Sequence, residues 1–111
     1  MSDNRFPKDN RLRRETDFSR VYEEGSRDSG DYFVFYLLQK EETKPRIGIV
    51  TPKCVGKAVT RNQIKRIIRE SFRKNKEKFE GYDLIVKPKE KVNELSNSVL
   101  AEKFLNDHPS Q

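Results

Sequence analysis

Val59-Thr60-Arg61-Asn62-Gln63-Ile64-Lys65-Arg66-Ile67-Ile68-Arg69-Glu70-Ser71-Phe72-Arg73-Lys74-Asn75-Lys76 carries one helical period from end to end. Stepped at about 100° per residue, Thr60, Ile64, Ile67, Ile68, Ser71 and Phe72 fall in one sector, a stripe that calls for burial. Asn62, Lys65, Arg66, Arg69, Arg73 and Lys76 occupy the next sector, with Arg61 on its border, while Gln63, Glu70 and Glu77 lie beyond. The pattern predicts a helix seated on a sheet by its Ile/Phe face, with a cationic ridge along its side.

On either side of this segment the period changes from 3.6 to 2. Arg46-Ile47-Gly48-Ile49-Val50-Thr51 reads as a strand ended by Pro52, and Tyr82-Asp83-Leu84-Ile85-Val86-Lys87 as another stopped by Pro88. This strand–helix–strand unit predicts two strands side by side, parallel pairing being one option. Strand order stays open. Further out, Tyr32-Phe33-Val34-Phe35-Tyr36-Leu37-Leu38 is the strongest strand. Alternation sends Phe33, Phe35 and Leu37 to one side and Tyr32, Val34 and Tyr36 to the other.

Phe18, Val21 and Tyr22, behind Thr16 or Asp17 as N-cap and ahead of Gly25, predict a first helix. Ser26 to Gly30 and Gln39 to Pro45 read as polar turns. A last helix is expected over about Val92 to Leu105, with Leu95, Val99 and Phe104 near one face. Together the elements predict one sheet packed against helices, an α/β or α+β sandwich. A chain of 111 residues fits a single domain, 1–111, with residues 1–10 and 106–111 as flexible tails.

Composition narrows the function. Charged residues make up 38% and apolar ones 32%, with a mean hydropathy of −1.00. Leu, Ile, Val and Phe still number 28, enough for a small core. The longest apolar run, Tyr32 to Leu38, is too short for a membrane span, and Met1 to Arg5 lacks the greasy stretch of a secretory signal. A cytoplasmic protein is expected. One cysteine, Cys54, and one histidine, His108, exclude an internal disulfide and a conventional zinc site. His108 has no patterned nucleophile or acid beside it and reads as exposed.

Charge placement says more. The net charge is +6, yet Lys53 to Lys76 alone carries nine basic residues against Glu70, and the remainder sums to −2. An ordinary surface helix interleaves signs to gain i,i+4 pairs; a concentrated patch marks a polyanionic partner. Arg61, Arg66, Arg69 and Arg73 supply planar forks suited to phosphate oxygens. Lys53-Cys54-Val55-Gly56-Lys57-Ala58 does not fit a nucleotide phosphate loop, because Thr51 and Ala58 stand where Gly and Ser or Thr are required. Two readings stay open for Phe18, Tyr22, Tyr32 and Tyr36. They form a second small core, which pattern alone favours, or a cleft where unpaired bases stack.

Phe18-x-x-Val21-Tyr22-x-x-Gly25, Arg46-Ile47-Gly48 and Lys53-x-x-Gly56-Lys57-Ala58-Val59-x-Arg61-Asn62-x-x-Lys65-Arg66-x-x-Arg69-Glu70-x-Phe72-Arg73 together resemble the bacterial ribonuclease P protein subunit, over roughly Asn10 to Lys87. The resemblance implies an α+β domain whose central, mostly antiparallel sheet is packed by about three helices, with a left-handed crossover around the basic helix. It also implies a complex with the ribonuclease P catalytic RNA, which uses Mg²⁺ to remove the 5′ leader of precursor tRNA. Lys53, Lys57, Arg61, Asn62, Lys65, Arg66 and Arg69, joined on the ridge by Arg73, inherit contacts to that RNA; Phe18, Tyr22, Val34 and Tyr36 inherit contacts to the single-stranded leader. This favours the cleft over packing.

The chain is then expected to be a subunit of an endoribonuclease without catalytic residues of its own. Its acids are scattered rather than gathered for two-metal hydrolysis, so no metal is expected on the protein alone. No membrane and no obligate protein partner is indicated. The alternative functions are a structural or ribosome-associated single-stranded RNA-binding protein and an autonomous nuclease.

Overall fold

The computed structural model describes residues 11–42 and 44–107. Its elements run α1 (Glu15–Glu24), β1 (Ser26–Ser29), β2 (Phe33–Gln39), β3 (Arg46–Ile49), α2 (Ala58–Lys74), β4 (Tyr82–Pro88) and α3 (Asn97–Asp107), with 3₁₀ turns at Lys53–Val55, Lys76–Phe79 and Glu90–Glu94. The sheet order is β1-β2-β4-β3. β1 pairs antiparallel with β2, β2 antiparallel with β4, and β3 parallel with β4. The mostly antiparallel α+β sheet and the adjacent strands flanking the basic helix are therefore as expected, and the parallel option is the one adopted.

The sheet divides two cores. Phe33, Phe35 and Leu37 of β2 meet Ile64, Ile68 and Phe72 of α2 and Leu100 and Phe104 of α3 on one face. Leu12, Val21 and Ile85 form the smaller core beneath α1, joined by Phe18, Tyr36 and Leu38. Alternation within β4 separates Leu84 and Val86 from Ile85 in the same way. The rings of Phe72 and Phe79 lie 5.1 Å apart and those of Phe79 and Phe104 5.7 Å apart. Such fully buried side chains each contribute about 1.5–3 kcal/mol of transfer free energy.

Several sequence expectations are corrected. The cap of α1 is the extended Arg14, which makes no side-chain capping bond; Thr16 and Asp17 lie inside the helix, where Asp17 faces the Arg46 guanidinium. Ser26 to Ser29 is a strand, not a turn: its four side chains are all exposed, and only backbone pairing to β2 holds it. Tyr32 precedes the first residue of β2 and packs against the larger core, away from Tyr36. Alternation governs only residues inside the paired strand.

The C-terminal helix is interrupted. Leu95 is extended, and the Ser96 hydroxyl accepts the Val99 N–H at 3.3 Å, starting α3 afresh. Leu100 and Phe104 are buried, whereas Leu95 and Val99 are half-buried. Asn106 and Asp107 belong to α3 rather than to a tail. Residues 1–10 and 108–111, including His108, lie outside the described residues.

Candidate nucleic-acid interface

The ridge is built by burying the other side of α2. Ile64, Ile68, Ser71 and Phe72 are buried and Thr60 and Ile67 half-buried, which fixes the rotation of the helix. Asn62, Arg66 and Lys74 are then exposed, while Arg61, Lys65, Arg69, Arg73 and Lys76 lie half-buried along the flank with their stems covered. Lys53 and Lys57 are exposed on the approach. Ion pairs among the described residues are Arg20–Glu24, Lys40–Glu42, Lys40–Asp83, Arg46–Asp17 and Arg46–Asp83. None involves a cation of α2 or of the loop before it.

That loop is held on three sides. Val55 is fully buried. The Asn93 side-chain amide donates to the Val55 carbonyl at 2.6 Å, and Arg61 Nε donates to the Gly56 carbonyl at 3.1 Å. Gly56 has a φ of 150°, a conformation that L side chains rarely adopt. Arg61 thus holds the loop as well as presenting charge. No acid occupies the first turn of α2, so Lys53, Lys57 and the positive helix end add to one another there. Further along, burial and then the positive charge of Arg11 hold the Arg69 guanidinium below its ordinary pKa. Cations crowded together in this way favour an anionic partner.

A second surface lies on the α1 side of the sheet. The rings of Tyr22 and Tyr36 meet edge to face, centroids 4.7 Å apart and planes at 81°. Lys87 Nζ stands 4.9 Å from the Tyr22 ring and 5.4 Å from the Tyr36 ring. Arg27, opposite Tyr36 across β1 and β2, lies 6.0 Å over the Tyr36 ring and donates from Nε to its hydroxyl at 3.3 Å. Tyr22 is 37% exposed, whereas Val34, paired with Lys87 and Ser29, is 9% exposed.

Phe18 is half-buried in the smaller core. Phe18 and Tyr36 thus pack against the smaller core, as the packing reading expects, while Tyr22 stands exposed beside Tyr36. Lys87 and Arg27 were not singled out for this surface from the sequence, because their neighbours are fixed by strand order.

One ionic cluster seats α1. Asp83 is 4% exposed. It accepts Arg46 Nε at 3.0 Å and Nη2 at 2.7 Å and pairs with Lys40 Nζ at 2.8 Å. Arg46 Nη1 reaches Asp17 of α1 at 3.4 Å. Burial pushes the Asp83 carboxyl up, but hydrogen bonds and charges from Arg46 and Lys40 outweigh this and hold it below its ordinary pKa. Among the described residues, no three His, Cys, Asp or Glu side chains group as metal ligands, and no helix is long and apolar enough to cross a membrane.

A family model described as Ribonuclease P matches residues 6–106. The chain belongs to the ribonuclease P protein family. It is 37% identical over 106 residues to the ribonuclease P protein component of Thermotoga maritima, covering 91% of each chain. It is 41% identical over 76 residues to that of Clostridioides difficile (strain 630), covering 67% of each. Among solved structures, the Staphylococcus aureus RNase P protein matches with a TM-score of 0.82 at 31% identity, covering 93% of this chain and 98% of that one. The Thermotoga maritima RNase P protein matches with a TM-score of 0.78 at 37% identity, covering 86% and 92%. Both neighbours share this family's small α+β fold, as the signature around Arg61, Asn62, Lys65 and Arg66 led us to expect.

Proposed function

We propose that this chain is the protein subunit that docks on the catalytic RNA of ribonuclease P and holds the single-stranded 5′ leader of precursor tRNA. The carrying observation is the division of labour across one sheet. A cationic ridge with no ion pair to a carboxylate among the described residues lies on α2, and an aromatic surface crowned by Lys87 lies on the α1 side. The ridge suits a folded polyanion, because each ammonium or guanidinium that meets a phosphate releases a condensed counterion. The aromatic surface suits a flexible strand: tyrosine faces accept any base, at about 1–3 kcal/mol per stacked base. Lys53, Lys57, Arg61, Asn62, Lys65, Arg66, Arg69 and Arg73 carry the first role, and Tyr22 and Tyr36, with Phe18 and Val34 as their support, the second.

The Mg²⁺ that such a holoenzyme needs is assigned to the RNA. Asp83, the most buried carboxylate among the described residues, is already shared by Arg46 and Lys40. What the chain contributes is grip on the leader and screening of phosphate repulsion.

The test is cleavage of a precursor tRNA by the matching catalytic RNA at low Mg²⁺, with and without the protein. Restored leader removal, and tighter binding of precursor than of mature tRNA in the assembled complex, are expected. An unchanged cleavage rate would overturn the proposal, and equal affinities would leave only a structural RNA-binding role.

A further inference from the structure

A second tyrosine carries two cations on the opposite face of the sheet. Lys91, in the 3₁₀ turn after β4, places Nζ 5.6 Å from the Tyr32 ring centroid, and Lys103 of α3 places Nζ 5.8 Å from the same centroid. Tyr32 is half-buried against the larger core. Glu90 and Glu102 adjoin these lysines in sequence, yet neither lysine is among the ion pairs of the described residues. Two ammonium groups from different elements thus converge on one ring. The quadrupole of the ring draws each ammonium but cancels neither charge, so both stay available to an anionic group.

The position of this cluster is informative. The Tyr32 carbonyl accepts the Lys89 N–H at 2.8 Å, so Tyr32 lies beside Lys89 at the end of the sheet, two residues beyond Lys87 of the aromatic cleft. Lys89 Nζ is held to the Gly30 carbonyl and the Ser29 hydroxyl at 2.6 and 3.0 Å, shaping the rim between the two faces. Tyr32, just before β2, and Tyr36 within it stand four residues apart, or about 13 Å at strand rise. That is about four nucleotides of a stacked strand and fewer of an unstacked one.

We propose that Tyr32, Lys91 and Lys103 form a second contact for single-stranded RNA, clamping a backbone phosphate of the strand beyond the nucleotides held at Tyr22 and Tyr36. The inference rests on the reading of that cleft as the leader site. The strand leaves the cleft at Lys87, rounds the sheet end at Lys89 and places a phosphate between Lys91 and Lys103, with the Tyr32 ring as the floor. Affinity for RNA then depends on leader length beyond the cleft.

The test uses the reconstituted holoenzyme and precursor tRNAs with a short leader, filling only the cleft, or a longer one. In the unaltered protein the longer leader is expected to bind more tightly. Combining Lys91→Glu with Lys103→Glu should abolish that gain and leave short-leader binding and assembly unchanged. The neutral pair Lys91→Ala and Lys103→Ala should lower the salt slope for the long leader by about 0.7 per lysine, and Lys91→Arg with Lys103→Arg should retain it. A gain that persists in the Glu pair overturns the inference and leaves the cleft reading intact. Equal losses for both leaders overturn it too, placing these lysines on another RNA surface. No leader-dependent binding even in the unaltered protein removes the cleft reading and this inference with it.

Discussion

The ring of Phe18 occupies the space that a side chain at Gly48 would need: a Cβ built on Gly48 would lie 2.6 Å from both Cε1 and Cζ of the Phe18 ring. Glycine is therefore required in β3 for α1 to approach the sheet this closely, and the approach brings Tyr22, one turn further along α1, onto Tyr36.

Gly48→Ala should displace Phe18 and with it α1. A loss of about 1–3 kcal/mol is expected from overpacking, read by thermal melting, with weaker leader binding and intact assembly on the catalytic RNA. Adding Phe18→Ala should restore part of the loss, because the two residues share one space. A strictly additive double variant would show that they do not.

The Asp83 cluster predicts an acid limit. Its carboxyl is held below the ordinary value, so the folded state binds that proton less readily than the unfolded state does. The stabilisation is complete above the unfolded carboxylate pKa of about 3.9 and is lost as pH falls through the lower folded value. Removing Asp83 by Asp83→Ala leaves Arg46 and Lys40 without their partner and should cost on the order of 3 kcal/mol near neutral pH. The variant should also show a flatter stability profile below about pH 4. Denaturant melts across the acid range measure both effects, and a profile as steep as the unaltered protein's would assign the acid limit to other carboxylates.

Arg61 and Arg66 should separate charge from architecture. Arg66 is exposed and makes no ion pair among the described residues, so Arg66→Ala should leave the melting temperature unchanged and lower the salt slope of RNA assembly by about one. Arg61→Ala should do this and also leave the Gly56 carbonyl without its donor, costing about 1 kcal/mol of stability. Arg66→Ala binding RNA as before would remove it from the interface.

Tyr22 and Tyr36 should differ in the same sense. Tyr22 is 37% exposed, so Tyr22→Ala is expected to weaken precursor binding with little change in stability. Tyr36→Phe removes only the hydroxyl that accepts Arg27 Nε and should retain most leader affinity. Equal binding of precursor by the protein and its Tyr22→Ala variant would return Tyr22 to a packing role.

How much of this was readable beforehand follows the range of each interaction. The Ile64–Ile68–Phe72 stripe and the cationic ridge beside it were visible because helix geometry relates residues three and four apart in sequence. β1 was invisible because its exposed Ser26, Arg27, Asp28 and Ser29 carry no apolar pattern, and its stability comes from backbone bonds to a strand elsewhere. The break at Leu95 and Ser96 escaped a periodicity reading because a single serine hydroxyl restarts the helix there.

Sequence alone determined which residues are apolar, where each period begins and ends, and that positive charge is concentrated between Lys53 and Lys76. These are local quantities, written in neighbours along the chain. The tertiary structure alone decided that Lys87 and Arg27 would meet the Tyr22–Tyr36 pair, that Asp83 would seat α1 through Arg46, and that Lys91 and Lys103 would close on Tyr32. Each of those contacts depends on the strand order β1-β2-β4-β3 and on the face each helix covers. No spacing in the sequence encodes the distance between side chains that the fold brings together from remote positions.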